Sequence, residues 1–167
     1  MACLGLWCRE HRPREATVNP QVEVQVAGPD EEPLLAAMLP GYLRELGVES
    51  DLYPYLALYW LEPGRRPYLI RVDGQVAGFA LVRALERPGL HELAEFYVGQ
   101  AFRRQGVGRA AAWTLFEGQP GDWQLNVLTG NRNALAFWLR VVPCGTVPLP
   151  VDDPEAWPHL RFRFHVG

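Results

Sequence analysis

AFRRQGVGRA, residues 101–110, sets Gly106 and Gly108 one residue apart among Arg103, Arg104 and Arg109. The stretch before it, LHELAEFYV (90–98), reads as a strand, and the stretch that leaves it, GRAAAWTLF (108–116), reads as a helix. A helix start exposes backbone N–H groups with no partner inside the helix, and the helix dipole adds partial positive charge there. Glycines let a ligand come close to that backbone. The three arginines add side-chain charge, so the turn reads as an anion site suited to phosphate. Alone, G-x-G is equally a tight turn with solvated arginines; the flanking strand and helix tip the reading toward phosphate.

The two best-known phosphate turns do not fit. A P-loop needs a lysine, and the chain has none: all sixteen basic residues are arginine. A dinucleotide fingerprint needs a third glycine where Ala111 stands. The absence of lysine also means that the chain offers no lysine side chain to acylate.

Outward from the turn, alternating and helical stretches fill the rest of the chain. QVEVQVAG (21–28) alternates as a strand. Residues 29–47 open on acidic residues and Pro33 and close on Gly47, as a helix does, with a break or kink expected at Pro40-Gly41. Residues 53–64 read as a short aromatic helix. RPYLIRVDG and QVAGFALVRAL are two strands joined at Asp73-Gly74, a strong hairpin signal. After the turn and its helix come a strand at 122–129, a helix at 131–142 that Asn131 can cap, and a closing strand at 159–166. The order β-α-α-β-β-β-α-β-α-β predicts a mixed α/β domain. Its expected limits are residues 21–167, preceded by a flexible extension over residues 1–20.

Composition narrows the function. A length of 167 residues suits one domain, and a net charge of −3 gives no general pull toward nucleic acid or an anionic membrane. No apolar run approaches the ~20 residues of a membrane span. The first residues lack the basic region of a signal peptide, so the expected location is the cytoplasm. Cys3, Cys8 and Cys144 are odd in number and widely spaced, which argues against a disulfide framework, and no metal site is expected.

The spacing Arg103-x-x-Gly106-x-Gly108 resembles the R/Q-x-x-G-x-G/A signature of the GNAT superfamily of N-acetyltransferases. The strand AEFYV, the helix GRAAAWTLF, the strand WQLNVL and the segment NRNALAFWLRV follow in that superfamily's order. In the last segment Asn131, Ala134, Phe137 and Trp138 are similar to its N-x-x-A-x-x-F-Y/W pattern, with the Phe-Trp pair of some bacterial members. The resemblance covers roughly residues 21–166. It implies a GNAT acyl-CoA N-acyltransferase fold, with a central twisted mixed sheet, two splayed parallel strands and flanking helices. It implies acetyl-CoA as cosubstrate and direct attack by a primary amine of a small molecule in a ternary complex. A homodimer is compatible with it. The rival class is a non-catalytic acyl-CoA-binding or sensing module.

The resemblance also assigns residues. The pyrophosphate belongs on the turn, at Arg103, Arg104, Gln105, Gly106, Val107, Gly108 and Arg109. The pantetheine arm belongs on the backbone of Phe96, Tyr97 and Val98, in the cleft between 90–98 and 122–129. Asn131, Ala134, Phe137 and Trp138 complete the cofactor side. An amine nucleophile needs a base, and the superfamily often draws a Glu from the strand before the turn. Glu95 and Glu92 are the candidates. They stand three positions apart and are expected on opposite faces of a regular strand, with Glu95 on the face of Tyr97. Glu95 is equally read as a surface carboxylate paired with an arginine, and for Glu92 that reading leads. Where the superfamily often places a Tyr as general acid stands Trp138, whose indole donates a hydrogen bond but is no useful acid. That leaves Tyr97, water or no acid at all. Tyr42, Tyr53, Tyr55, Tyr59 and Trp60, with Asp51 and Glu62, are read as an acceptor wall for a cationic amine or, for Tyr59 and Trp60, as core.

Overall fold

A computed structural model describes residues 20–50 and 52–167. Residues 1–19, which hold Cys3, Cys8 and nearly all of the expected extension, lie outside the described residues, as does Asp51. The chain runs β1 (Val22–Val26), α1 (Glu32–Glu45), α2 (Leu58–Leu61), β2 (Arg65–Val72), β3 (Gln75–Ala84), β4 (Leu90–Val98), α3 (Val107–Gly118), β5 (Gly121–Leu128), α4 (Arg132–Val141), β6 (Leu149–Val151) and β7 (His159–Val166). The strands form one seven-stranded sheet in the order β1-β2-β3-β4-β5-β7-β6. Only β4 and β5 run parallel; the other neighbours are antiparallel. This is the expected mixed α/β architecture.

Two apolar layers hold the sheet. Leu35 and Leu39 of α1 and Tyr59 of α2 pack with Leu69, Phe79 and Leu81 on one face. Ala112, Leu115 and Phe116 of α3 and Trp138 and Val141 of α4 pack with Trp123, Leu125 and Phe162 on the other. Asp73 and Gly74 take positive φ of 49° and 80°, so the hairpin turn is of the kind that its Asp-Gly pair requires.

Three local expectations change. Helix α1 passes through Pro40 without a break. The helix expected over 53–64 shrinks to the four residues of α2, because the residues around Pro54 form turns instead. Strand β6 escapes notice in the sequence, since prolines flank and interrupt it; as an edge strand it tolerates them.

One irregularity shapes everything that follows. Leu81 pairs with Glu95, but Val82 pairs with Leu93, which leaves Ala94 as an extra residue in β4. Such a bulge changes which side chains share a face. Glu92 and Glu95 stand opposite Arg83 and Leu81, two positions apart on β3, so both carboxylates project on the α1 side. The expectation that they face opposite ways is overturned. Pairing between β4 and β5 also ends here: Leu93↔Leu125 is the last rung, and the strands separate beyond it.

Candidate active site

Beyond the bulge, residues 95–98 of β4 have no strand partner on the β5 side among the described residues. The chain then makes a short 3-10 turn, Gln100–Phe102, and enters α3. Gly106 stands just before α3 with φ of 80°, a left-handed conformation that a Cβ disfavours. Arg104 also has positive φ, 59°. The first backbone N–H of this region to find a partner is that of Ala110, on the Gly106 carbonyl. The N–H groups of Arg104, Gln105, Gly106, Val107, Gly108 and Arg109 make no hydrogen bond among the described residues. Six consecutive free donors stand at this helix start, a cradle whose chemistry suits an anion.

The side chains around the cradle divide the work differently from the expectation. Arg103 points away from it: its Nε donates to the Val98 carbonyl at 2.7 Å, and its Nη2 reaches both oxygens of Glu45 at 2.9 and 2.7 Å. Gln105 closes the turn by donating to the Ala101 carbonyl. Arg109 donates to the Arg140 carbonyl at 3.0 Å and so ties α3 to α4. Arg104 alone of the three arginines makes no side-chain hydrogen bond or ion pair among the described residues. Gly108 is small for a packing reason: a Cβ there would stand 3.1 Å from the Phe137 ring.

Phe137 in turn stacks on Phe96, with ring centroids 6.1 Å apart. Trp138 is buried, edge-on to Phe96, in the layer beneath α4. Asn131 caps α4 by accepting from the Ala134 N–H at 3.1 Å. Thus Phe96 and Phe137 line the wedge between the sheet and the α3–α4 pair, while Asn131, Ala134 and Trp138 build the helix that carries it.

On the α1 side, Glu95 accepts hydrogen bonds from two phenols. Tyr42 of α1 donates to one oxygen, and Tyr53 donates to the other at 3.0 Å. Burial pushes the Glu95 carboxyl above the ordinary range; the two phenols and Arg83 pull it down, and Glu92 pushes it up. Burial together with the Glu95 charge drives Tyr42 and Tyr53 upward, so both phenols keep their protons and donate. Sequence reasoning missed this role. It placed Tyr42 and Tyr53 in a wall around a cation, and nothing in their spacing reveals a shared carboxylate 53 and 42 positions later, respectively.

Glu92 lies deeper, at 3% exposure. Arg83 pairs with one of its oxygens, and Gln124 and Asn126 donate to the other at 2.9 and 3.3 Å. Tyr97 packs against Tyr42 and Phe79 and lines an open cleft of about 440 Å³ with Gly41, Arg44, Glu45 and Gln100. A second cleft of about 550 Å³ runs between the end of α1 and the loops after β5, past Asn131 and Trp157. The expected cation wall is otherwise engaged. Tyr59 is buried with Arg65 over its ring, the Trp60 indole donates to the Ala27 carbonyl, and Tyr55 is exposed, edge-on to Tyr53. Among the described residues, no helix is long and apolar enough to cross a membrane.

Comparison with known proteins agrees with this geometry. Among solved structures, the chain is similar to an acetyltransferase from Thermus thermophilus, with TM-score 0.67, 20% identity and coverage of 87% of this chain and 97% of that one. It is similar to a GNAT-family acetyltransferase from Staphylococcus aureus, with TM-score 0.68, 13% identity and coverage of 88% and 100%. It is also similar to a ribosomal-protein-alanine N-acetyltransferase from Brucella melitensis, with TM-score 0.62, 21% identity and coverage of 86% and 99%. At these identities the likeness shows the fold. No curated protein matches the chain. The family model described as the acetyltransferase (GNAT) family matches residues 35–141, which is most of the chain and includes Glu92, Glu95, the turn before α3 and α4. The chain belongs to the GNAT acetyltransferase family.

Proposed function

We propose that residues 21–167 form an acetyl-CoA-dependent N-acetyltransferase that modifies a primary amine of a small molecule. The observation that carries this reading is that the splayed end of β4 carries a carboxylate with a raised pKa and leads directly into a turn of six free N–H donors. The donor set suits a pyrophosphate, and Arg104 is the side chain free to add charge. The apolar pair Phe96 and Phe137 suits an alkyl arm beside the unpartnered edge of β4. Acetyl-CoA supplies an acetyl thioester. A backbone N–H of that edge is placed to stabilise charge growing on an acyl oxygen.

Glu95 acts as the base. Its raised pKa brings it nearer to neutrality, where a carboxylate takes a proton more effectively. Glu92, locked by Arg83, Gln124 and Asn126, is a positioning residue for the strand. Of the side chains on the splayed edge, Tyr97 alone carries a hydroxyl, and it is the candidate proton donor to the leaving thiolate; buried Trp138 is not. Attack is direct, in a ternary complex, because the amine reaches the edge of β4 from the α1 side and the cosubstrate from the α3 side.

The test is release of free thiol from acetyl-CoA across a panel of primary amines. Amine-dependent release supports transfer. Calorimetric binding of acetyl-CoA with no release on any amine would instead identify the non-catalytic binding module.

A further inference from the structure

The face that carries Glu95 continues across β5 and β7 as a ladder of polar side chains. Trp123, Leu125, Val127 and Phe162 point into the α3–α4 layer. Their neighbours Gln124, Asn126, Arg161 and Arg163 therefore project on the opposite face. Each arginine is pinned by its Nε to the amide directly across from it in register. Arg161 donates to Asn126 Oδ1 at 2.9 Å, and Arg163 donates to Gln124 Oε1 at 3.3 Å. The same two amides donate to Glu92, whose other oxygen is held by Arg83. A carboxylate at 3% exposure thus anchors both arginines through one intervening side chain each.

What the ladder leaves over is positive charge. Neither Arg161 nor Arg163 makes an ion pair among the described residues, and the terminal nitrogens of both make no hydrogen bond among them. Arg83, Arg161 and Arg163 share this face with the carboxylates of Glu92, Glu95 and Asp122. Arg83 holds Glu92, Arg87 and His165 hold Asp122, and two phenols hold Glu95, so Arg161 and Arg163 are the guanidinium groups of this face left without an ion pair among the described residues. Two arginines at i and i+2 lie about 6.6 Å apart on a strand, close enough for their planar forks to share one oxyanion.

We infer that the acceptor amine carries an anionic group, a carboxylate or a phosphate, received by Arg161 and Arg163 while its amine faces Glu95. This rests on the acetyl-transfer reading above. Two strand spacings, about 10 Å, separate β4 from β7 where the sheet is intact, which suits an amine and an oxyanion several bonds apart.

The test compares 4-aminobutyrate and 3-aminopropyl phosphate with the neutral isostere 4-aminobutanamide. Expected is a kcat/KM at least tenfold higher for one or both anions than for the amide, the better anion separating carboxylate from phosphate. In Arg161→Gln/Arg163→Gln that preference falls at least tenfold through KM, while acetyl-CoA affinity is retained. Each single variant is measured as well, so a double variant that fails to fold does not end the test. The same three acceptors are titrated calorimetrically into protein loaded with desulfo-coenzyme A, which decides the question without turnover. Equal kcat/KM or equal affinity for anions and amide, or a preference that survives both substitutions, overturns the inference. Absence of thiol release with every amine overturns the transfer reading alone.

Discussion

At Glu95 two phenols hold one buried carboxylate, and the proposed transfer makes that carboxylate the base. Replacing Glu95 with Gln keeps its size but removes its basicity. Turnover should drop about 10²-fold, with acetyl-CoA affinity unchanged, as steady-state kinetics and calorimetry would show. The acid limb of the pH profile should vanish with it. In the wild type that limb lies above the ordinary Glu value, because the native carboxyl is raised and only its ionised form accepts a proton. Tyr53→Phe removes a donor that favours the ionised form, so the limb should move to still higher pH, by a shift readable in kcat/KM against pH. A limb that stayed in place would detach Tyr53 from the base. The same raised pKa has a sign in stability. A carboxyl that binds its proton more tightly when folded stabilises the fold fully below the unfolded value and loses that contribution as pH rises through the native one. Denaturant unfolding from pH 4 to 8 should show this decline in the wild type and not in Glu95→Gln. Of all this, the sequence declared only that Glu95 shares a face with Tyr97. The phenols come from a helix and a loop distant in the chain, and proximity of that kind has no periodicity to read.

The bulge in β4 and the turn before α3 are the two elements on which the proposed site rests. The cradle was legible, because positive φ and close approach demand glycine and the spacing of Gly106 and Gly108 advertises the demand. The reason for each glycine was less so: Gly106 serves the turn itself, and Gly108 leaves room for Phe137. Gly108→Asp would put a carboxylate beside the free N–H groups and press its Cβ on that ring. Affinity for acetyl-CoA should fall at least tenfold, about 1.4 kcal/mol, with the fold retained by circular dichroism; unchanged affinity would remove the cradle from the binding site. The bulge was not legible at all. LHELAEFYV reads as a regular strand, and only the cross-strand register reveals that Ala94 is surplus. Its effect reaches both carboxylates, because a one-residue insertion reverses the face of every residue beyond it. The long alternating strands and the Asp-Gly hairpin follow directly from pattern, whereas β6 and the shortened α2 depend on packing that outweighs local preference.

Across the whole molecule the sheet separates two kinds of surface. Helices α3 and α4 bring the turn of free N–H groups and the apolar wedge; α1 and the loop after it bring the phenols and line the open clefts. Arg103 joins the two sides, with its Nε on the Val98 carbonyl of the splayed edge and its Nη2 on Glu45 of α1. That strap is a physical route by which binding on one side is coupled to binding on the other. If filling the cradle and the β4 edge fixes the position of Val98, it also fixes the end of α1 through Arg103, and an amine then finds its helix already ordered. Linkage requires the favour to be returned in equal measure: whatever factor the nucleotide adds to amine affinity, the amine adds to nucleotide affinity. Calorimetry of amine binding with and without desulfo-coenzyme A measures that factor, and Arg103→Met should bring it close to one while leaving the melting temperature within a few degrees. The protein would then still bind each ligand but would no longer have a preferred readiness for the second, and the order in which they arrive would cease to matter.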